Sequence, residues 1–280
     1  MDYTKFTYSL ICKSETRLYA QNCIPHKDYK AVICIIHGIG EHSGRYEHWY
    51  KLFCDNNIAV ISFDLRGHGL SEGKKGTIAH ITDFWDDIDC VITQTDLGKK
   101  RIPFFIYGHS MGGNVALSYV ANNKDSVTGI IVSSPWLSLT NPLPSSIDWL
   151  VQRLDRVFPH LTFRNGIKSS QLVSDSQEII NRKNDKLVHP FISIRLYNQM
   201  QESAKKLMAA PHQINIPLLV LHGESDQVTN PRASKEFASR APNATYIGYP
   251  NGLHELQNGP NSHMAFNDIT TWIDQQTSAQ

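Results

Sequence analysis

Ser110 stands in the run "YGHSMGGN", with Gly108 and Gly112 two residues to either side. The apolar stretch "FFIY" leads into it and "NVALSYVANN", which reads as an amphipathic helix, leads away. A G-x-S-x-G sequence between a strand and a helix has the form of a nucleophile elbow. The turn is so tight that the serine takes a strained backbone conformation, and its hydroxyl points away from the sheet. A side chain at either flanking glycine would meet neighbouring backbone. The first amides of the following helix, at the positive end of its dipole, then face a place where an anion would be stabilised.

A serine hydroxyl is a poor nucleophile until a base takes its proton and an acid orients that base. The expected order along the chain is serine, acid, histidine, with each partner just beyond a later core strand. "IPLLVLHGESDQVTN" supplies Asp226, four residues after His222, with Glu224 as its nearest rival. Asp148, Asp155, Asp175 and Asp185 fall in a helical interval, and Asp268 and Asp274 in the last helix. "ATYIGYPNGLHELQNG" supplies His254 as base, in a loop with Pro250 and Gly252. His263 beside Asn261 and Ser262 is the weaker candidate, and His222, ending a strand, reads as a packing or hydrogen-bonding residue. Acyl chemistry also needs donors for an oxyanion. The Met111 amide is one. The Ile39 amide is the other, because Gly38 and Gly40 let "IIHGIGEHSGRY" curl. His37 reads as a brace of that loop.

These residues need a scaffold, and the apolar runs describe one. "AVICIIH" (31–37), "IAVISFD" (58–64), "FFIYGH" (104–109), "GIIVSS" (129–134), "PLLVLH" (217–222) and "ATYIGY" (244–249) read as strands. Most are continuous rather than alternating, as strands covered on both faces are. Helical segments near 43–56, 84–95, 111–122, 234–240 and 263–276 separate them, which predicts a doubly wound, mostly parallel α/β sheet. Segments near 5–12 and 17–24 predict an antiparallel hairpin at one edge. Between Ser134 and Pro217 no core strand is evident, and a structureless loop that long is improbable in a folded domain, so a helical insertion is expected.

Composition narrows the function. The 280 residues carry 27 basic and 26 acidic side chains, a net charge of +1, and no basic stripe, which argues against nucleic-acid binding. No charged-then-apolar leader opens the sequence and no apolar run reaches a membrane span of about 18 residues. The five cysteines lack C-x-x-C spacing and read as reduced thiols, which places the chain in the cytoplasm, with peripheral membrane residence as a variant. The histidines lack zinc spacing.

"HGIGEHSGRY" (37–46), "FDLRGHGLSEG" (63–73), "GHSMGG" (108–113), "HGESDQV" (222–228) and "GLHEL" (252–256) occur in order across nearly the whole chain. In these motifs the chain resembles the monoacylglycerol lipase and lysophospholipase family of the α/β-hydrolase fold, and the "GEHSGRY" run is the most discriminating. The resemblance implies a Ser110–Asp226–His254 triad with the Ile39 and Met111 amides as oxyanion hole. It implies a hydrolase core of residues 1–134 and 211–280, with 135–210 as a helical cap over an apolar acyl channel. The expected substrate is a small lipid ester, a monoacylglycerol or lysophospholipid, hydrolysed without metal or organic cofactor. Alternatives are a short-chain carboxylesterase, an amidase or peptidase on the same fold, and an inactive binding protein on a hydrolase scaffold.

Three further stretches carry readings. Asp64, Arg66 and His68 are expected to hold the loops at the sheet edge. "TDFWDD" (82–87) reads as a capped helix start. In "SSIDWLVQRLDRVF" (145–158), Ile147, Leu150, Val151, Leu154, Val157 and Phe158 share one helical stripe, with Trp149, Arg153 and Arg156 opposite. The plain expectation is a helix packed on the core with one surface tryptophan. The sharper one is a cap helix whose tryptophan and arginines touch lipid.

Overall fold

The computed structural model of the chain describes residues 3–98, 102–122 and 127–278. A hairpin, Tyr3–Ile11 (β1) and Arg17–Pro25 (β2), opens it. Ala31–Ile36 (β3), helix Glu47–Asp55 (α1), Ile58–Phe63 (β4), Thr82–Gln94 (α2), Phe104–His109 (β5), Met111–Asn122 (α3) and Gly129–Ser133 (β6) follow. Then come Ser145–Leu154 (α4), Thr162–Arg164 (β7), Ser169–Leu172 (α5), Ser176–Asn184 (α6), Phe191–Ser193 (β8) and Ile194–Ala209 (α7). Leu218–Gly223 (β9), Pro231–Arg240 (α8), Ala244–Tyr249 (β10) and Ser262–Ser278 (α9) complete it.

Among the described residues eight strands form one sheet in the order β1-β2-β4-β3-β5-β6-β9-β10. β1 and β2 pair antiparallel at one edge, β2 meets β4 antiparallel, and the remaining neighbours are parallel. Both the expected hairpin and the expected parallel sheet are present. Every residue of β3, β4, β5, β6 and β9 is buried, which explains why their sequences do not alternate. The period of two instead divides each strand between two apolar clusters. Val32, Cys34 and Ile36 of β3 join residues of α2, α3 and α8 on one face. Ala31, Ile33 and Ile35 join Trp49 and Phe53 of α1 and Phe266 and Ile273 of α9 on the other.

Two expectations are corrected. Cys12, just past β1, and Cys90 of α2 are joined in a disulfide across 78 positions, so these two are not reduced thiols. Their partnership comes from the sheet edge meeting α2, which spacing along the chain does not reveal. Cys23, Cys34 and Cys54 are free and buried. Disulfides persist in oxidising compartments, so the cysteines no longer argue for a reducing one. Second, α3 is not amphipathic: Met111–Val120 are all buried, because β5, α2 and α7 surround it. Asn123, at the end of its expected run, lies outside the described residues.

The interval between β6 and β9 is helical, with a short antiparallel β7–β8 pair beside α4, α5, α6 and α7. The plain reading of its first helix holds only in part. Among the described residues of α4 none is buried, and Ile147 (46%), Leu150 (49%), Val157 (67%) and Phe158 (54%) are exposed, as is Trp149. Arg153 lies over the Trp149 ring at 5.3 Å. Of the stripe only Val151, which packs against the core, and Leu154 are half-buried, while the rest stays in water.

Candidate active site

Ser110 joins β5 to α3 with φ of 54°, a left-handed conformation that costs a serine energy and persists only where the surroundings hold it. They do so at the backbone. Its N–H donates to Ser133 O (3.0 Å), and its carbonyl accepts from Gly113 N (3.1 Å), Asn114 N (3.2 Å) and Trp136 N (2.9 Å). A Cβ on Gly108 would lie 2.4 Å from Gly112 O, and one on Gly112 2.3 Å from Ile36 O. Both contacts are with backbone, which cannot move aside, so the glycines flanking the serine are a steric requirement of the turn.

Asp226 follows β9 and is buried. Its Oδ2 accepts from His254 Nδ1 (2.7 Å), His222 Nε2 (3.0 Å) and Thr229 Oγ1 (2.9 Å). Its Oδ1 accepts from the Val228 (2.7 Å) and Thr229 (3.1 Å) amides. Burial opposes the carboxylate's charge, but His254 and His222 outweigh it and hold the group far below the usual range. With Nδ1–H committed to Asp226, the basic lone pair of His254 is on Nε2. Burial pushes the His254 imidazole down, yet the charge and hydrogen bond of Asp226 leave it raised above 6.5. The ring packs on His109, the residue before Ser110, at 4.8 Å between centroids, which sets His254 beside the elbow. Glu224 and His263, the rivals weighed for acid and base, are both exposed to solvent.

The loop after β3 closes the other side. The Cβ position of Gly38 lies 3.2 Å from Ser110 Cβ. Among the described residues no protein acceptor takes the Ile39 or the Met111 amide. His37 accepts from Leu65 N at Nε2 (2.9 Å) and donates from Nδ1 to Gly38 O (2.8 Å), the brace expected of it. Asp64 likewise fastens loops, accepting from Ser43 N (2.7 Å) and Leu70 N (2.8 Å). Arg66 forms a paired contact with Asp87 (2.8 and 2.6 Å), so Asp87 is a buried ion-pair member. The α2 start has no side-chain cap. Asp83 instead accepts from the Ala79 and His80 amides.

Sequence reasoning missed a second layer. Glu41 accepts from Gly38 N (2.6 Å) and Tyr46 OH (2.8 Å) and pairs with Arg45 (3.3 Å). Arg45 also reaches Glu255 (2.6 Å), next to His254, and Arg182 of α6 reaches the same carboxylate (3.1 Å). Glu255 stays ionised: burial opposes it, and the two arginines prevail. Ser134, with φ of 47°, donates to the His254 carbonyl (2.9 Å). "GEHSGRY" and "HEL" contained Glu41, Arg45 and Glu255, but only the fold brings them together with Arg182.

Ser110, Ile39 and Thr229 open on one cavity of about 200 Å³. Trp136, Leu139, Leu143, Phe163, Ile192 and Tyr197 provide most of its apolar wall. Among the described residues lining it, none is an acid or a base of the Asp, Glu, Lys or Arg type.

Comparison with known proteins places the fold. The family described as "Serine aminopeptidase, S33" (Hydrolase_4) matches residues 27–261. An abhydrolase domain-containing protein of Dictyostelium discoideum is 32% identical over 96% of this chain, which spans 29% of that relative's length. A putative monoglyceride lipase of Schizosaccharomyces pombe is 29% identical, covering 91% of this chain and 71% of its own. The crystal structure of a Paleococcus ferrophilus monoacylglycerol lipase superposes with a TM-score of 0.83 at 25% identity, over 99% of this chain and all of that one. The sheet and its helices are those of the α/β-hydrolase fold.

Proposed function

Since the chain belongs to the hydrolase family described as Serine aminopeptidase, S33, we propose that it hydrolyses carboxylic esters of lipids through an acyl-enzyme on Ser110, with monoacylglycerols as substrates. The observation that carries this reading is the uncharged, largely apolar cavity into which Ser110 opens. An acyl chain gains free energy by leaving water for such walls. An aminopeptidase must instead hold its substrate's ammonium group, and buried charge needs a paired charge. Among the described lining residues no carboxylate offers one.

What supports this chemistry is the His254–Asp226 hydrogen bond and the place of the His254 ring beside the elbow. His254 Nε2 takes the Ser110 proton as Oγ attacks the ester carbonyl. Asp226 holds the tautomer and stabilises the imidazolium, and the free Ile39 and Met111 amides receive the oxyanion. Collapse expels the glycerol alkoxide, which His254 protonates. Water then repeats the sequence on the acyl-enzyme and returns the serine. Residues 135–210 act as a cap whose α4 rests its exposed Trp149 and Arg153 on the lipid surface that holds the substrate. Among the described residues no helix is long and apolar enough to cross a membrane.

Fatty-acid release by the wild type and Ser110→Ala tests the reading. The panel holds monoacylglycerols of several chain lengths, a lysophospholipid, a triacylglycerol, short nitrophenyl esters and a proline amide. Preference for monoacylglycerols, abolished by the substitution, is expected. Turnover of the proline amide alone would overturn it.

A further inference from the structure

The cavity at Ser110 does not run on into the grooves behind it. A groove of about 320 Å³ lies between α4 and α7, and another of about 400 Å³ lies between α7 and α8. Leu143 and Tyr197 line both the Ser110 cavity and the first groove, while Leu139 lines both the cavity and the second. One layer of side chains therefore separates the reacting carbonyl's pocket from open space on its far side.

That layer is tied together by hydrogen bonds. Trp136 Nε1–H donates to Gln201 Oε1 (3.1 Å), Gln201 Nε2–H donates to Tyr197 OH (3.3 Å), and Tyr197 OH donates to Asp148 Oδ1 (3.3 Å). Tyr197 and Gln201 are four apart on α7 and so stand on one face of it, Trp136 follows β6, and Asp148 belongs to α4. The chain of bonds runs from the core exit to the outer helix and holds the Tyr197 ring across the end of the cavity. Trp136 and Phe163 pack beside the ring, at 6.2 and 6.3 Å between centroids.

Resting on ester hydrolysis at Ser110, we infer that Tyr197 is the end wall of the acyl pocket and limits the substrate to a medium acyl chain. At about 30 Å³ for each heavy atom, the share a water molecule takes in the liquid, the 200 Å³ cavity holds about seven atoms. A chain of about eight carbons, its carbonyl at Ser110, reaches the wall. Longer chains must leave their ends in water or displace the ring. Removing the ring joins the cavity to the groove beyond it, which is wide enough for several more methylenes.

The test is a chain-length series, from C4 to C16, of both nitrophenyl esters and monoacylglycerols, with kcat/KM as the readout. The wild type should peak near C8 and fall beyond it. Tyr197→Ala should move the peak to C12 or longer, through KM. At about fourfold for each methylene taken out of water, seating only two of the four methylenes that C12 adds to C8 should already raise the C12 ester more than about tenfold relative to C8. Tyr197→Phe keeps the ring and should keep the cut-off. Should Tyr197→Ala fail to fold, Leu143→Ala thins the same wall and should shift the peak in the same direction. A wild type whose kcat/KM climbs through C16, or a folded alanine variant with an unmoved peak, overturns the assignment. The nitrophenyl series reads the acyl wall whatever the alcohol. Idle monoacylglycerols with the nitrophenyl cut-off intact would therefore refute the proposed substrate and leave the wall standing.

Discussion

Helices α9 and α4 each carry an apolar stripe of similar length, and the molecule turns them in opposite directions. Phe266, Ile269 and Ile273 of α9 are buried against the sheet with Trp49 and Phe53. Ile147, Leu150 and Trp149 of α4, with Val157 and Phe158 just after it, remain in water. Amphipathicity states that a helix has an apolar face and not what covers it. For α9 the cover is the parallel sheet, whose strands demand helices on both faces. α4 lies outside that demand, on a cap whose inner side is already supplied by Tyr197 and Leu196 of α7. On our proposal, the contrast divides the protein into a core that fixes chemistry and an outer segment that meets the substrate's surroundings.

The sharpest way to break that division is to remove the nucleophile. Ser110→Ala should lower kcat by about 10⁶ while leaving the fold, since removing a triad serine forfeits the acyl-enzyme route. Activity surviving within a few fold would move the chemistry out of the core. Next in size, Asp226→Asn should lower kcat by about 10⁴. It should also move the acid limb of kcat/KM. In the wild type the limb follows His254, whose raised value means that activity falls as pH drops through a point above 6.5. Without the Asp226 charge, burial dominates and the limb should shift to lower pH. A pH profile that does not move would show that Asp226 does not govern the base.

Arg182→Ala sharpens the comparison at the seam. Arg182 is the α6 residue that reaches Glu255, and losing a hydrogen bond to a buried charge is worth about 1.5–3 kcal/mol, so the stability of the folded protein should fall by about that much. A urea unfolding midpoint equal to the wild type's would separate cap from core. Smallest is Trp149→Ala. Binding to phospholipid vesicles should weaken by about 1 kcal/mol, some fivefold, the size of a cation–π contact at an exposed site, while hydrolysis of a soluble short ester stays constant. If vesicle binding in a flotation assay is unaltered, α4 is not the contact.

The core was readable because its constraints are local. Gly108 flanks Ser110 because the Gly112 carbonyl lies 2.4 Å from where its side chain would be, and Gly112 because the Ile36 carbonyl of β3 lies 2.3 Å away; both requirements leave their mark within five residues of sequence. Asp226 and His254 follow from strand ends, which continuous apolar runs mark. What sequence did not disclose depends on elements meeting across the chain. Cys12 and Cys90 pair because β1 lies beside α2. His222 shares Asp226 with His254 through Oδ2, and Arg45 and Arg182 converge on Glu255 from 210 and 73 positions away. The same distance effect hid the direction of the α4 stripe, whose residues were identified correctly but whose cover was assumed.

Intact-protein mass spectrometry after treatment with a fluorophosphonate tests the central claim most directly, because this probe phosphonylates an activated serine without requiring the right alcohol or chain length. One adduct on the peptide containing Ser110 is predicted, absent in Ser110→Ala and formed more slowly in Asp226→Asn. An unlabelled wild type, or an adduct that persists in Ser110→Ala, would contradict the account.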